Sequence, residues 1–234
     1  MSIEAIILAG GLGTRLRSVI HDVPKPMAPV NGKPFLYYLL NYLHSEGIKR
    51  VILSVGYKHD VISSFFGSHF KSMDLVYAIE EQPMGTGGAV KLALSQSSEE
   101  SVFILNGDTF FPVSLTGLRE KHYQLGAKIT LALKKVENND RYGSVCLGAD
   151  LFIESFKEKS ASAETLINGG IYLLNKKSFL DNVPGDRFSF EKDYLEKVVS
   201  THCIGGCIFD TYFLDIGVPD SLQKANDDFG SLIT

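Results

Sequence analysis

Three features of the sequence predict an α/β domain with a mixed central sheet. Apolar, strand-like runs alternate with amphipathic helical patterns through the first half. The first of those runs, residues 3–8, is apolar at nearly every position, as a strand buried on both faces requires. The second half carries more strand patterns than helical ones, which extends the sheet with antiparallel members. No low-complexity linker or internal repeat interrupts residues 1–234, so a single domain is expected, without an appended β-helix.

The strand at residues 3–8 runs directly into Ala9-Gly10-Gly11-Leu12-Gly13-Thr14-Arg15, which places a glycine loop at a strand's carboxyl end. Pro34 opens the following helix at its first position; Phe35, Leu36, Leu39, Leu40 and Leu43 form its apolar face, and Gly47 closes it. Residues 50–55 are a second strand. Val61, Ile62, Phe65 and Phe66 mark a short amphipathic helix, and residues 75–79 a third strand. Gly85-Thr86-Gly87-Gly88 leads into a helix ending near Ser95, and residues 102–105 form a fourth strand that enters Asn106-Gly107-Asp108-Thr109. Later strands are expected at 128–136, 143–147, 153–157, 170–174 and 208–214, with helices at 115–124, 190–199 and 220–228.

Composition excludes several functional classes. Hydrophobic residues at 44% and charged residues at 21% rule out a disordered chain. A net charge of −4, from 23 Lys and Arg against 27 Asp and Glu, offers no broad attraction for a nucleic-acid backbone or an anionic bilayer, so any phosphate must be held locally. No apolar run approaches the roughly twenty residues that span a membrane, and Met1-Ser2-Ile3-Glu4 lacks the charged start of a signal peptide. A cytoplasmic protein without membrane or nucleic-acid partners is expected. Cys203-Ile204-Gly205-Gly206-Cys207 has the spacing of half a zinc site with no second pair, and Cys146 stands alone, so the thiols read as incidental. The six histidines show no metal-ligand spacing.

The glycine loop admits backbone N–H groups close to a phosphate, and Arg15 adds an always-charged fork. It is not a P-loop, because Gly-Lys-Ser/Thr is missing, nor a dinucleotide fingerprint, because Leu16 stands where a third glycine belongs. Ten residues on, the three prolines of Pro24-Lys25-Pro26-Met27-Ala28-Pro29 restrict the backbone around a single lysine, which is therefore held in place.

Leu8-Ala9-Gly10-Gly11-Leu12-Gly13-Thr14-Arg15-Leu16 joined to Pro24-Lys25-Pro26-Met27 resembles the compound signature of the sugar-1-phosphate nucleotidyltransferases, and the likeness runs along nearly the whole chain. Gly85-Thr86-Gly87-Gly88-Ala89, Asn106-Gly107-Asp108-Thr109-Phe110-Phe111, Asp140-Arg141-Tyr142-Gly143 and Ile167-Asn168-Gly169-Gly170-Ile171-Tyr172 resemble the subfamily of short D-glycero-D-manno-heptose 1-phosphate guanylyltransferases. The resemblance implies a three-layer α/β/α, Rossmann-like domain that couples GTP to a heptose 1-phosphate and releases pyrophosphate.

It also implies roles for particular residues. Arg15 and Lys25 would act on the phosphates at the reacting centre. Leu8, Ala9, Gly10, Gly11, Gly13, Thr14 and Gly107 would cradle the nucleotide, and Gln82, Gly85, Thr86 and Gly87 would meet its base, with Glu80 or Glu81 suited to guanine. Asp108 and Asp215 resemble the family's pair of Mg²⁺-binding aspartates; Phe213 stands where the family often has tryptophan. Tyr142 and Gly143 would face the sugar, as would Asn168 and Gly169 in an Asn-Gly-Gly turn before the strand expected at 170–174. Glu158 and Lys159 resemble a Glu-Lys-Pro element whose proline is Ser160 here. Mannose 1-phosphate with GTP, or glucose or N-acetylmuramate 1-phosphate with another triphosphate, fits the same motifs. A binding-only sensor of nucleotide sugars would have shed the cations or carboxylates, yet Arg15, Lys25, Asp108 and Asp215 are all present.

Overall fold

The computed structural model describes residues 4–11, 23–139, 141–158 and 162–232. Its strands are β1 (Glu4–Leu8), β2 (Pro29–Val30), β3 (Lys33–Pro34), β4 (Arg50–Val55), β5 (His69–Phe70), β6 (Met73–Ile79) and β7 (Ser101–Asn106), followed by β8 (Thr109–Phe110), β9 (Ile129–Asn139), β10 (Ser144–Leu147), β11 (Ile153–Lys157), β12 (Ser162–Asn175), β13 (Ile204–Phe209) and β14 (Leu214–Asp215). The helices are α1 (Phe35–Ser45), α2 (His59–Phe66), α3 (Gly85–Leu94), α4 (Leu115–Leu125), α5 (Lys176–Leu180), α6 (Glu196–Val198) and α7 (Pro219–Leu232). None is long and apolar enough to cross a membrane among the described residues.

Ten strands form one mixed sheet. Its parallel centre runs in the order β6, β4, β1, β7, and the chain therefore reverses its direction of travel across the sheet at β1. β12 then pairs antiparallel with β7 along one edge and with β9 along the other, and β13 lies parallel beyond β9. β10 and β11 branch from the first half of β12. The expected α/β architecture with antiparallel additions is what the chain adopts.

β1 shows why its run is apolar throughout. Ala5 and Ile7 face a core shared with α1, α4 and α7, whereas Ile6 faces a second core shared with α3 and the 190–195 segment. Both cores are built from apolar side chains, and Ala5, Ile6 and Ile7 are fully buried between them. Burial at about 25 cal/mol per Å² of apolar surface makes this strand the common wall of the molecule.

Several boundaries differ from the sequence-based expectation. Pro34 is the N-cap of α1 and not its first residue, because it also closes the β2–β3 ladder with an extended ψ of 145°. β12 is far longer than the expected 170–174. Asn168 and Gly169 are not a turn before it but a bulge within it: Asn168 pairs with Leu133 and Tyr172 with Leu131, so two residues of β12 are looped out. Gly170, at φ +74°, accommodates this distortion. The strand expected at 208–214 is β13 at Ile204–Phe209, with Gly205 and Gly206 inside it. A Cβ on Gly206 would lie 2.5 Å from Leu147 Cδ1, and one on Gly205 2.8 Å from Leu125 Cδ1, so packing and not a loop requires these glycines. Leu214 and Asp215 form the separate strand β14. The helix expected at 190–199 is a π-turn (Phe190–Leu195), α6 and a 3-10 turn (Val199–Thr201) in series.

At the amino end of β1, buried Glu4 accepts hydrogen bonds from Arg50 (2.7 Å), the Ser98 amide and hydroxyl (both 3.1 Å) and the Ser97 hydroxyl. Burial pushes its carboxyl up, but the bonds from Ser97, Arg50 and Ser98 together outweigh this and hold it below 4.5. Glu4→Ala should cost about 2–4 kcal/mol in chemical denaturation at neutral pH. Because the folded value is depressed, this stabilisation is complete above pH 4.5 and is lost as pH falls through the folded value. The stability gap between the wild type and Glu4→Ala should close over that interval.

Candidate active site

Ligands of open α/β sheets bind beyond the strands' carboxyl ends, where the strand order reverses. Here that point is the junction of β1 and β7. The Gly107 amide donates to the Leu8 carbonyl at 3.0 Å, and a Cβ on Gly107 would sit 2.5 Å from that oxygen. A Cβ on Gly10 would likewise lie 2.6 Å from Glu80 Oε1 and 3.3 Å from the Gly56 amide. The strand ends approach backbone to backbone because both positions lack side chains.

This approach carries Asp108 to Lys25. Lys25 sits in a 3-10 turn entered through Pro24, and the turn is closed by bonds from Met27 N to the Pro24 carbonyl (2.8 Å) and from Ala28 N to the Lys25 carbonyl (3.0 Å). Buried Pro26 and Met27 anchor it. The lysine Nζ lies 2.5 Å from Asp108 Oδ2, with 11% of its side chain exposed.

β8 and β14 bring the second aspartate alongside. Asp215 pairs with Thr109, and the Ile216 amide donates to the Asp108 carbonyl at 3.0 Å. Asp215 Oδ1 accepts the Gly217 amide, and Oδ2 lies 3.3 Å from the Arg141 guanidinium, which also donates to the Asp215 carbonyl and to Ser221 Oγ. Phe213 meets Phe111 and Tyr142 edge-on at 5.5 and 5.7 Å, so its ring fills space without the donor a tryptophan would bring. The Tyr142 phenol is pushed up to about 12, first by burial and then by the Asp215 charge.

The two carboxylates are thus neighbours, and each holds a protein cation. Among the described residues no group of three or more His, Cys, Asp or Glu side chains could hold a metal. A pair of hard carboxylates still suits a divalent ion that takes its remaining ligands from water and phosphate.

A cleft of about 860 Å³ opens over this junction. It is lined by Leu8, Gly10, Gly11, Lys25, Asn106, Gly107 and Asp108 from the strand ends and the Lys25 turn, by Ser54, Tyr57, Glu80, Glu81, Gln82, Gly85 and Thr86, and by Glu191, which adjoins Thr86. Burial raises the Glu80 carboxyl above its ordinary value, although bonds from the Met84 amide and from Ser54 pull the other way. Glu80 is engaged in holding the turn before α3; Glu81 and Gln82 stand exposed at the rim.

The expected nucleotide residues divide between cleft and packing. Leu8, Gly10, Gly11, Gln82, Gly85, Thr86 and Gly107 line the cleft, whereas Ala9 is buried beside it. Gly87 is covered: its amide donates to the Phe188 carbonyl at 2.9 Å, and a Cβ there would fall 2.2 Å from the Phe188 ring. Gly85, at φ +73°, is pressed against the same residue's backbone. Gly13, Thr14, Arg15 and Lys159 lie outside the described residues.

Among the described residues, those expected at the sugar lie outside the cleft lining. Tyr142 stands next to Asp215, and Gly143 precedes β10, its Cβ position 3.1 Å from the Lys157 carbonyl. Glu158 is exposed just past β11. Gly169 packs beneath the Phe111 ring, and Asn168 donates to the Tyr172 hydroxyl at 2.8 Å while accepting from the Gly170 amide. Ser54, Tyr57 and Glu191 are cleft residues that the motifs did not indicate, and Asn106, inside a quoted motif, lines the cleft without having been given a role. No sequence pattern marks the first three, because their place depends on strand ends meeting across the fold.

The Nucleotidyl transferase family matches residues 4–231. The D-glycero-alpha-D-manno-heptose 1-phosphate guanylyltransferase of Aneurinibacillus thermoaerophilus is 49% identical over 222 residues, covering 95% of this chain and 96% of that protein. The protein of the same name from Campylobacter jejuni is 48% identical over 217 residues, covering 93% and 96%. HddC from Yersinia pseudotuberculosis, in a crystal structure complexed with GMP-PN, superposes with a TM-score of 0.87 at 38% identity, over 97% of this chain and 99% of that one.

Gly87→Ala should destabilise the protein by about 1–3 kcal/mol in chemical denaturation, because the new methyl must displace the Phe188 ring. Gly11→Ala, with nothing within 4 Å of its Cβ position, should change stability by less than about 0.5 kcal/mol. Equal effects of the two would show that Phe188 yields freely.

Proposed function

The chain belongs to the nucleotidyl transferase family, and from that premise we propose that it transfers the guanylyl group of GTP to D-glycero-α-D-manno-heptose 1-phosphate, giving GDP-heptose and pyrophosphate. One observation carries the chemistry: a glycine-walled strand junction that brings Asp108 to Lys25 in the lining of one cleft, with Asp215 on the strand paired to Thr109 beside them. The choice of GTP and heptose is supported by the two guanylyltransferases at 48–49% identity and by the fold shared with HddC.

In this reaction a phosphate oxygen of the sugar 1-phosphate attacks the α-phosphorus of the triphosphate. The new P–O bond forms as the bond to the bridging oxygen breaks, and pyrophosphate leaves with the electron pair. The nucleophile is already an anion, so no general base is needed; the task is to bring two anions together and to neutralise the departing charge. Lys25 supplies a fixed ammonium at the reacting centre, and Arg15 is assigned to the leaving pyrophosphate. The amides of Gly10 and Gly11 receive phosphate oxygens, and Gln82, Gly85 and Thr86 face the base.

Enzymes of this family generally use a divalent metal ion. Asp108 and Asp215 would hold it here; their oxygen-only donor set fits Mg²⁺, which when bound would neutralise charge on the triphosphate. Lys25 and Arg141 meanwhile balance the two carboxylates. Tyr142, Gly143, Glu158, Lys159, Asn168 and Gly169 are assigned to the sugar-phosphate side, Tyr142 as a neutral hydroxyl donor. We assign residues 1–234 to one domain, acting in the cytoplasm where GTP is at hand.

Pyrophosphate release should be followed with Mg²⁺ and each of GTP, UTP, CTP, dTTP and ATP, paired with heptose, mannose, glucose and N-acetylmuramate 1-phosphates. Turnover is expected with GTP and the heptose; a different active pair would replace the substrates and keep the chemistry, and silence throughout would refute the enzyme reading. Asp108→Asn should lower kcat by about 10²-fold or more. Its stability should change by less than about 1 kcal/mol, because the lost ion pair with Lys25 is partly exposed.

A further inference from the structure

Glu191 is the second residue of the π-turn Phe190–Leu195, and its backbone is firmly held. The Lys192 amide donates to the Ser189 hydroxyl (3.2 Å), the Ser189 amide to Asp193 Oδ2 (2.8 Å) and the Phe190 amide to Thr86 Oγ1 (2.8 Å). The side chain, by contrast, is scarcely engaged. Its two oxygens lie 3.4 Å from the Tyr172 and Thr86 hydroxyls, at the outer limit of a hydrogen bond, and no described cation pairs with it. A half-buried carboxylate therefore faces the cleft with most of its acceptor capacity unused.

A free anion in a cleft built for polyanions is a contradiction unless it meets an uncharged, donor-rich part of a substrate. Three such parts exist here: the guanine edge, the ribose hydroxyls of GTP and the hydroxyls of the acceptor sugar. The hydrogen-bond network that leads away from Tyr172 favours the last. Asn168 donates to the Tyr172 hydroxyl at 2.8 Å and that hydroxyl points on to Glu191, which ties the carboxylate to the bulge of β12. The other carboxylate oxygen faces Thr86, on the segment that also carries Glu81 and Gln82. Burial and the Glu191 charge keep the fully buried Tyr172 phenol well above its ordinary value, so it remains a hydroxyl donor directed at that carboxylate.

We propose that Glu191 binds ring hydroxyls of the acceptor sugar 1-phosphate, as the cleft residue that selects a polyol from other phosphate monoesters. The proposal deepens the guanylyltransferase reading and rests on it. A carboxylate accepting from two neighbouring hydroxyls rewards their presence and rejects their absence, because an analogue lacking one leaves it unpaired.

The test is the steady-state kinetics of Glu191→Gln, which keeps size and one acceptor oxygen, beside Glu191→Asp, which keeps the charge and withdraws it by a methylene. In both, KM for the heptose 1-phosphate should rise about tenfold, with KM for GTP changed less than about twofold and the unfolding midpoint unmoved. Deoxy analogues of the sugar phosphate, discriminated by the wild type, should be discriminated less by Glu191→Gln. A rise in KM for GTP with that for the sugar unchanged would overturn the proposal, and so would two unchanged KM values. If the wild type turns over a different sugar 1-phosphate, the heptose reading fails, and the same KM comparison with that sugar decides on Glu191. Absence of turnover with every sugar 1-phosphate overturns both.

Discussion

The bond from the Gly107 amide to the Leu8 carbonyl holds the carboxyl ends of β7 and β1 together, and most of the cleft follows from it. β1 is the wall between two cores, so its end can shift little. Once β7 is pinned to it, the chain leaves Gly107 in one direction only, and Asp108 arrives at the Lys25 ammonium. β8 then recruits β14, which delivers Asp215 from a distant part of the chain. A side chain at residue 107 would separate the strand ends and with them every charge at the centre.

Charge balance is the second constraint. The cleft gathers carboxylates and must also attract phosphates, which is workable only if the carboxylates are neutralised locally. Lys25 on Asp108 and Arg141 on Asp215 accomplish this within the protein. Arg141 also reaches Ser221 in α7 and lies 5.2 Å from the Tyr142 ring, so the loop before β10 is joined to the last helix through the residue that balances Asp215. Both ion pairs are partly solvated and contribute little to stability; their value lies in placement.

How much of this was legible in the sequence depends on whether a pattern has one physical cause or two. The run of residues 3–8 has one, burial on both faces, and β1 lies where it was expected, Ile3 falling outside the described residues. The three prolines around Lys25 likewise admit only a held lysine. Glycine has two causes. Gly10 and Gly107 are small so that backbones can meet at the cleft, whereas Gly87, Gly169 and Gly206 are small because Phe188, Phe111 and Leu147 occupy the space, and a one-dimensional pattern does not separate these cases. Asn168-Gly169-Gly170 reads as a turn and is a bulge, because the pairing with β9 that continues on both sides of it is a tertiary property. Glu191 was hidden for the same reason: its freedom is defined by Thr86 and Tyr172, which approach it only in the folded chain.

The seam between α3 and the π-turn carries a thermodynamic implication. The Gly87 amide bonds to Phe188, the Phe188 amide to Met84 and the Phe190 amide to Thr86, with no side chain of residues 85, 87 or 88 interposed. Thr86, assigned to the base, and Glu191, proposed for the sugar, are therefore joined through hydrogen bonds of the backbone amides. Any free energy that links ligands bound at the two residues is necessarily the same in either order of addition.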